Sequence, residues 1–195
     1  MIKSLRLAAA ISLLSCNVAF AAEPLTFQPM IIPDGVVTRA ELVKMVVDQL
    51  YPAAKNDACF KTLSPSDYWL LFSDVSIKES YAPSLCFAMK TGIIRGYADG
   101  TFRPDRPVNF AEASKILSRA FDLSPEIYGS HDGPWYRASV MALEEHAAIP
   151  GSVTGFSHPM TGVEVYDIVN RLATRDVTRP SVSYGELQRR EAGAN

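Results

Sequence analysis

Behind Asn109-Phe110-Ala111-Glu112 the chain sets apolar residues at Ala113, Ile116, Leu117, Ala120 and Phe121, the i, i+3, i+4, i+7, i+8 pattern of a helix with one face in a core. The same columns recur 71 residues earlier, where Thr38-Arg39-Ala40-Glu41 leads into Leu42, Met45, Val46, Gln49 and Leu50. They recur again 52 residues later, where Thr161-Gly162-Val163-Glu164 leads into Val165, Ile168, Val169, Leu172 and Ala173. Only Gln49 interrupts the apolar columns. Three amphipathic helices of one design, spaced at domain scale, need one another to bury their faces.

The starts of these helices share a chemistry. Thr38, Asn109 and Thr161 each stand three residues before a glutamate, Glu41, Glu112 and Glu164, which predicts a capping box, or its Asn variant, at every start. Pro107 and Pro159 lie two residues ahead of their caps and hold the incoming chain extended. A second helix precedes the turn in two copies. Tyr81, Leu85, Ala88, Ile94 and Gly96 reappear 55 residues on as Tyr136, Val140, Leu143, Ile149 and Gly151, with Pro83 tolerable only in a first helical turn. The repeat is helix, Gly-containing turn, extended arm, capped helix. The first copy lacks the leading helix and keeps only Thr26-Phe27-Gln28-Pro29, an echo of Thr101-Phe102-Arg103-Pro104.

Composition places this pattern in an exported protein. Lys3 and Arg6, an apolar run from Leu7 and then Ala19-Phe20-Ala21 read as a signal peptide over 1–21, cut before Ala22. Leu13-Leu14-Ser15-Cys16 also resembles a lipobox, which would instead put a lipid on Cys16. The run is too short and interrupted to span a bilayer, and no other stretch qualifies, so no transmembrane span is expected in the mature chain. Without the leader, 17 basic residues face 21 acidic ones, a net charge of −4 that argues against nucleic acid as a partner. Either processing route leaves Cys59 and Cys86, which predict one disulfide in an oxidising compartment. The alternative is a buried free Cys86 on its helix and an exposed Cys59.

Phe72-Ser73-Asp74-Val75, Ala88, Gly92-Ile93-Ile94-Arg95-Gly96-Tyr97, Asp99-Gly100-Thr101-Phe102-Arg103-Pro104 and the capped helix that follows resemble an S-layer homology (SLH) module almost from end to end. Residues 72–121 carry the resemblance most specifically, while 26–51 and 131–174 look like a truncated and a diverged copy. The resemblance implies an all-α fold of three pseudo-symmetric helix-loop-helix modules packed as a bundle. Its partition is a first repeat and linker over 22–58, a second repeat over 59–125, a third over 126–175 and a polar C-terminal tail over 176–195, with a short helix at 186–192. It also implies noncovalent attachment to cell-wall polysaccharide or peptidoglycan, often through acidic sugars held in grooves between modules.

The family's sugar-contacting arginine belongs to a Thr-Arg-Ala-Glu motif, and only Arg39 keeps it, because Phe110 and Gly162 stand at the other two positions. The resemblance therefore makes Arg39 the anion partner of one groove, with Gly96 allowing close approach and Tyr97 or Trp135 offering an aromatic face. An arginine in a first helical turn opposes the helix dipole and needs some such reason. The residues also admit plainer roles: glutamates as caps, Gly96, Asp99 and Gly100 as turn formers, and Tyr81, Trp135 and Tyr136 as core.

Catalysis is not expected. Asp99, Asp105 and their neighbours lack EF-hand spacing, and the cysteines with His131, His146 and His158 lack paired metal-ligand spacing, so no metal or other cofactor is expected. Glu144 and Glu145 are adjacent on a helix and point apart. No G-x-S-x-G or Cys/His signature is present. The chain then reads as an envelope protein that binds wall polymer, or as an envelope protein-protein interaction scaffold that has lost most sugar recognition.

Overall fold

Each capped helix forms where the pattern puts it: α1 over Arg39–Leu50, α4 over Phe110–Ala120 and α6 over Gly162–Thr174. The computed structural model describes residues 32–52, 58–61, 72–123 and 133–193. The leader, Cys16 and the 26–29 echo lie outside the described residues. Four further helices are seen among them: α2 (Ala58–Lys61), α3 (Ala82–Lys90), α5 (Arg137–Glu145) and α7 (Tyr184–Gly193). The fold is all-α, and its apolar columns are the core: Leu42, Val46, Ala113, Leu117, Val165, Ile168 and Val169 are buried. The leading helices pack on the preceding capped helix, α3 on α1 and α5 on α4.

What ties the three capped helices together is backbone. The extended arms before the caps meet in a closed ring, in which the Val37 amide donates to Met160 (2.8 Å), Met160 to Val108 (3.0 Å) and Val108 to Val37 (3.1 Å). All three side chains are fully buried. Antiparallel bridges Val36–Thr161, Thr38–Pro107 and Asn109–Pro159 repeat the same relation around the ring. The first helical amides, which an isolated helix leaves without partners, are met by the neighbouring arm: Arg39 donates to Arg106, Phe110 to His158 and Gly162 to Gly35. The 71 and 52 residue offsets of the sequence pattern relate these contacts one to the next.

The caps differ in one place. At α1 and α6 the full capping box is present, with Glu41 accepting from the Thr38 amide at 2.7 Å and Glu164 from the Thr161 amide at 3.0 Å. At α4 only half forms: Asn109 accepts from the Glu112 amide at 2.9 Å, but the Glu112 carboxylate turns away to Arg106 and Arg39. The expectation of a reciprocal box at Glu112 is corrected accordingly.

The disulfide Cys59–Cys86 is formed, joining α2 to α3 with Cα atoms 5.9 Å apart. Closing a loop of 27 residues stabilises the fold by about 3.5 kcal/mol in the chain-entropy picture.

The C-terminal segment departs from the expected polar tail. Arg175, in the left-handed conformation, ends α6, and the chain folds back so that the Val182 amide donates to the Ile149 carbonyl. Ser183 then caps α7 by accepting from the Glu186 amide, and the helix starts two residues before the expected Glu186. Leu187 is fully buried, Tyr184 stacks on Phe156 at 5.1 Å and Arg190 donates to the carbonyls of Gly151 and Val153. Composition hid this docking because a leucine, a tyrosine and an arginine do the work of a longer apolar stripe.

Candidate functional site

The turn between α3 and α4 is built from its own sequence. Asp99 accepts from the amide and hydroxyl of Thr101 and from Arg103, hydrogen bonds that hold its carboxyl down at about 2. Asp74, from the Phe-Ser-Asp-Val segment, accepts from the amides of Phe102 (2.8 Å) and Arg103 (2.7 Å), and so pins Arg103 in a left-handed conformation with φ of 58°. Gly96 is required for packing: a Cβ there would lie 2.6 Å from the Phe72 ring and 2.8 Å from the Thr101 carbonyl oxygen. Its smallness makes room for protein atoms rather than for the ligand approach that the resemblance implied.

The same turn fixes Arg39. The amides of Arg39 and Ala40 reach the carbonyls of Arg106 and Pro104, which sets the start of α1 against the turn. The Arg39 guanidinium then sits beside two rings, 5.0 Å from the centroid of Tyr97 and 4.8 Å from that of Phe102, and its Nε donates to the Phe102 carbonyl at 3.0 Å. Nη1 stands 3.9 Å from Glu112 Oε1, beyond hydrogen-bond distance. Burial pulls the guanidinium below its ordinary value, partly offset by Tyr97 and Glu112, but an arginine remains charged throughout.

Above Arg39 opens a cavity of about 280 Å³, close to the lower end of ordinary small-ligand sites. Arg39, Gly96, Tyr97 and Trp135 all line it. One wall is the turn from Ile93 to Tyr97, the floor is α4 through Glu112, Lys115, Ile116 and Arg119, and Trp135 closes the far side ahead of α5. Five consecutive residues of the turn, 93–97, belong to this lining.

Trp135 is 57 % exposed, and the Lys115 ammonium lies 5.1 Å from its ring centroid. Burial lowers the Lys115 pKa, as do the charges of Arg119 and Arg95. Four cations, Arg39, Arg95, Lys115 and Arg119, thus share a cavity with one carboxylate. Tyr136 goes instead to the core, 4.6 Å from Phe156.

The sequence does not single out Lys115, Arg95 or Arg119 as site residues, nor Glu112 as more than a cap. On α4, Glu112, Lys115 and Arg119 follow i, i+3, i+7 spacing and make one polar stripe beside the apolar columns, a signal present but not distinctive without the opposite wall.

The positions equivalent to Arg39 cannot repeat the site. Phe110 is fully buried in the core. At Gly162 a Cβ would lie 2.5 Å from the Pro33 carbonyl oxygen, so the arm at 32–33 covers that helix start.

Residues 71–114 match the family model of the S-layer homology domain. The match covers Asp74, the 93–104 turn and the first turn of α4, which are the parts that position Arg39 and form much of the cavity wall. No curated protein matches the chain. The protein carries an S-layer homology domain, a module of cell-envelope association. Among the described residues no helix is long and apolar enough to cross a membrane.

Proposed function

We propose that this is a non-catalytic protein of the cell envelope that binds acidic cell-wall polysaccharide, or peptidoglycan carrying it, in the Arg39 groove. The supporting observation is the convergence of Arg39, Gly96, Tyr97 and Trp135 on one cavity rich in cations, with an exposed indole beside it. The cations supply the field for an anionic group, and the indole supplies a flat apolar face for a sugar ring. Gly96 contributes shape alone. In this reading the chain is three modules in which one groove is equipped, and the 1–21 leader directs export, ending in cleavage after Ala21 or lipidation at Cys16.

The test is cosedimentation of the mature protein with peptidoglycan sacculi, prepared with and without their attached polysaccharide. Trp135→Ala and Lys115→Ala are the informative variants, because Arg39 also holds the fold together. Binding that needs the polysaccharide and falls in both variants supports the reading; equal sedimentation of wild type and variants refutes it. The loss of the arginine at Phe110 and Gly162 favours a second reading, an envelope protein-protein interaction scaffold, which predicts no sedimentation with either preparation.

A further inference from the structure

We propose that the groove between α4 and the 93–97 turn takes a short acidic segment of a partner protein, of the form Asp/Glu-Pro-x-Val, held along its backbone. The proposal rests on the interaction-scaffold reading and gives it a site and a kind of partner. It starts from the third module, where the equivalent groove is already filled by this chain itself.

The turn at 147–152 lies on α6 as the turn at 92–97 lies on α4. Offsets of 55 in the turns and 52 in the helices set Ile149 over Ile94, Ser152 over Tyr97, Asp167 over Lys115 and Arg171 over Arg119. Gly92 and Ala147, each just past its helix, both have positive φ, 78° and 49°. Ser152 donates to Glu164 and Arg171 to the Ala147 carbonyl, which hold that turn on its helix. Into this groove runs the non-helical segment Arg179-Pro180-Ser181-Val182. The Arg179 guanidinium pairs with Asp167 as well as with its neighbour Asp176, and the Pro180 carbonyl accepts from Arg171 at 2.8 Å. The Ser181 hydroxyl accepts from the Ile149 amide at 3.1 Å, and the Val182 amide donates to the Ile149 carbonyl at 3.0 Å. The Val182 side chain is buried.

Beside α4 the receiving groups are kept and the charge is reversed. Ile94 lines the cavity, and no described amide donates to its carbonyl, the counterpart of the one that takes Val182. The Ile94 amide is already given to the Ala88 carbonyl, so the third residue of the guest needs no hydroxyl. Ile93 and Ile116 supply apolar wall for the fourth. Lys115 stands where Asp167 takes Arg179, and among the described residues its contact is the Trp135 ring rather than a carboxylate. With Arg95 in the same wall, the first residue of the guest must be acidic. Main-chain hydrogen bonds then supply the hold, and the charge at the first position supplies the choice.

The experiment is an NMR titration of the mature protein with peptides copied from residues 177–183: one unaltered, one carrying Arg179→Glu, and a scrambled form of the second. Wild type is expected to bind the Arg179→Glu peptide about tenfold more tightly than the unaltered one, with shifts at 93–97 and at the Trp135 indole. Lys115→Asp copies the charge of Asp167 and should reverse that preference. Lys115→Gln, a milder change, should erase it, and serves where Lys115→Asp does not fold.

Equal affinity of wild type for the two ordered peptides overturns the proposal, and so does a preference that survives in the Lys115 variants. Binding of the scrambled peptide as tightly as the ordered one overturns it too, since charge alone would then explain the contact. Failure of wild type to bind the Arg179→Glu peptide does the same while leaving the scaffold reading to another surface. That reading itself fails on polysaccharide-dependent sedimentation with sacculi, so the two are refuted by different measurements.

Discussion

Replacing Arg39 with alanine should damage folding as well as binding, and the structure sets the scale. The side chain gives one charge-assisted hydrogen bond to the Phe102 carbonyl at 3.0 Å, worth about 1.5–3 kcal/mol in a buried setting. It also lies against the rings of Tyr97 and Phe102 at 5.0 and 4.8 Å, each contact adding roughly 0.5–1 kcal/mol. Against this stands the relief of repulsion from the nearby Arg103 and Arg106. The net expectation is a loss of about 3 kcal/mol, which for a domain of this size lowers Tm by roughly 6–12 °C. Trp135, more than half exposed, touches Tyr136 edge-on at 5.5 Å and carries Lys115 above it. Its truncation should cost less than about 1 kcal/mol. Urea unfolding followed by circular dichroism measures both. Arg39→Ala losing under about 1 kcal/mol, or Trp135→Ala losing as much as Arg39→Ala, would refute the assignment of Arg39 as a tie between α1 and the 93–104 turn. A binding defect in Arg39→Ala would then report on the groove alone.

Two further outcomes follow from the same geometry. Gly96→Ala should lower stability by about 1–3 kcal/mol in urea unfolding, because the new Cβ meets a ring and a backbone carbonyl that the turn holds in place; the matching change at Gly151, where a Cβ meets nothing within 4 Å, should be nearly neutral. Stability should also fall as the medium is acidified past about 4.5. Burial alone would raise the Glu164 pKa, but hydrogen bonds from Ser152, Thr161 and His158 outweigh it and hold the carboxyl below its ordinary 4.5. A depressed folded-state pKa means the contribution is complete above 4.5 and is lost as pH drops through the folded value. Glu164→Gln should therefore be less stable than wild type at neutral pH and approach it in acid; a gap between the two that stays constant with pH would sink this account.

Much of this protein was legible one segment at a time. Helix starts at Thr38, Asn109 and Thr161, buried columns behind them and the turn around Asp99 depend on neighbours three or four residues apart, and such local rules are written directly in the chain. The disulfide followed from having two cysteines behind a predicted leader. The Arg39, Gly96, Tyr97 and Trp135 grouping came from the SLH resemblance, which carries three-dimensional information that spacing alone does not.

Only the tertiary structure decided the rest, because each decision joins residues distant in the chain. Ring closure through Val37, Val108 and Met160 matches hydrogen-bond donors on one arm to acceptors on another, and no local pattern announces which arms meet. Glu112 looked like its two counterparts until Arg106 and Arg39 drew its carboxylate away from the cap. Residues 176–193 looked like a tail because their apolar content is low, yet Leu187 and Tyr184 find a waiting surface on α5 and Phe156. The sequence by itself determined that the three capped helices form and where they begin; the packing of the helices determined which charges share a cavity, since electrostatic and hydrogen-bond partners are chosen by proximity in space.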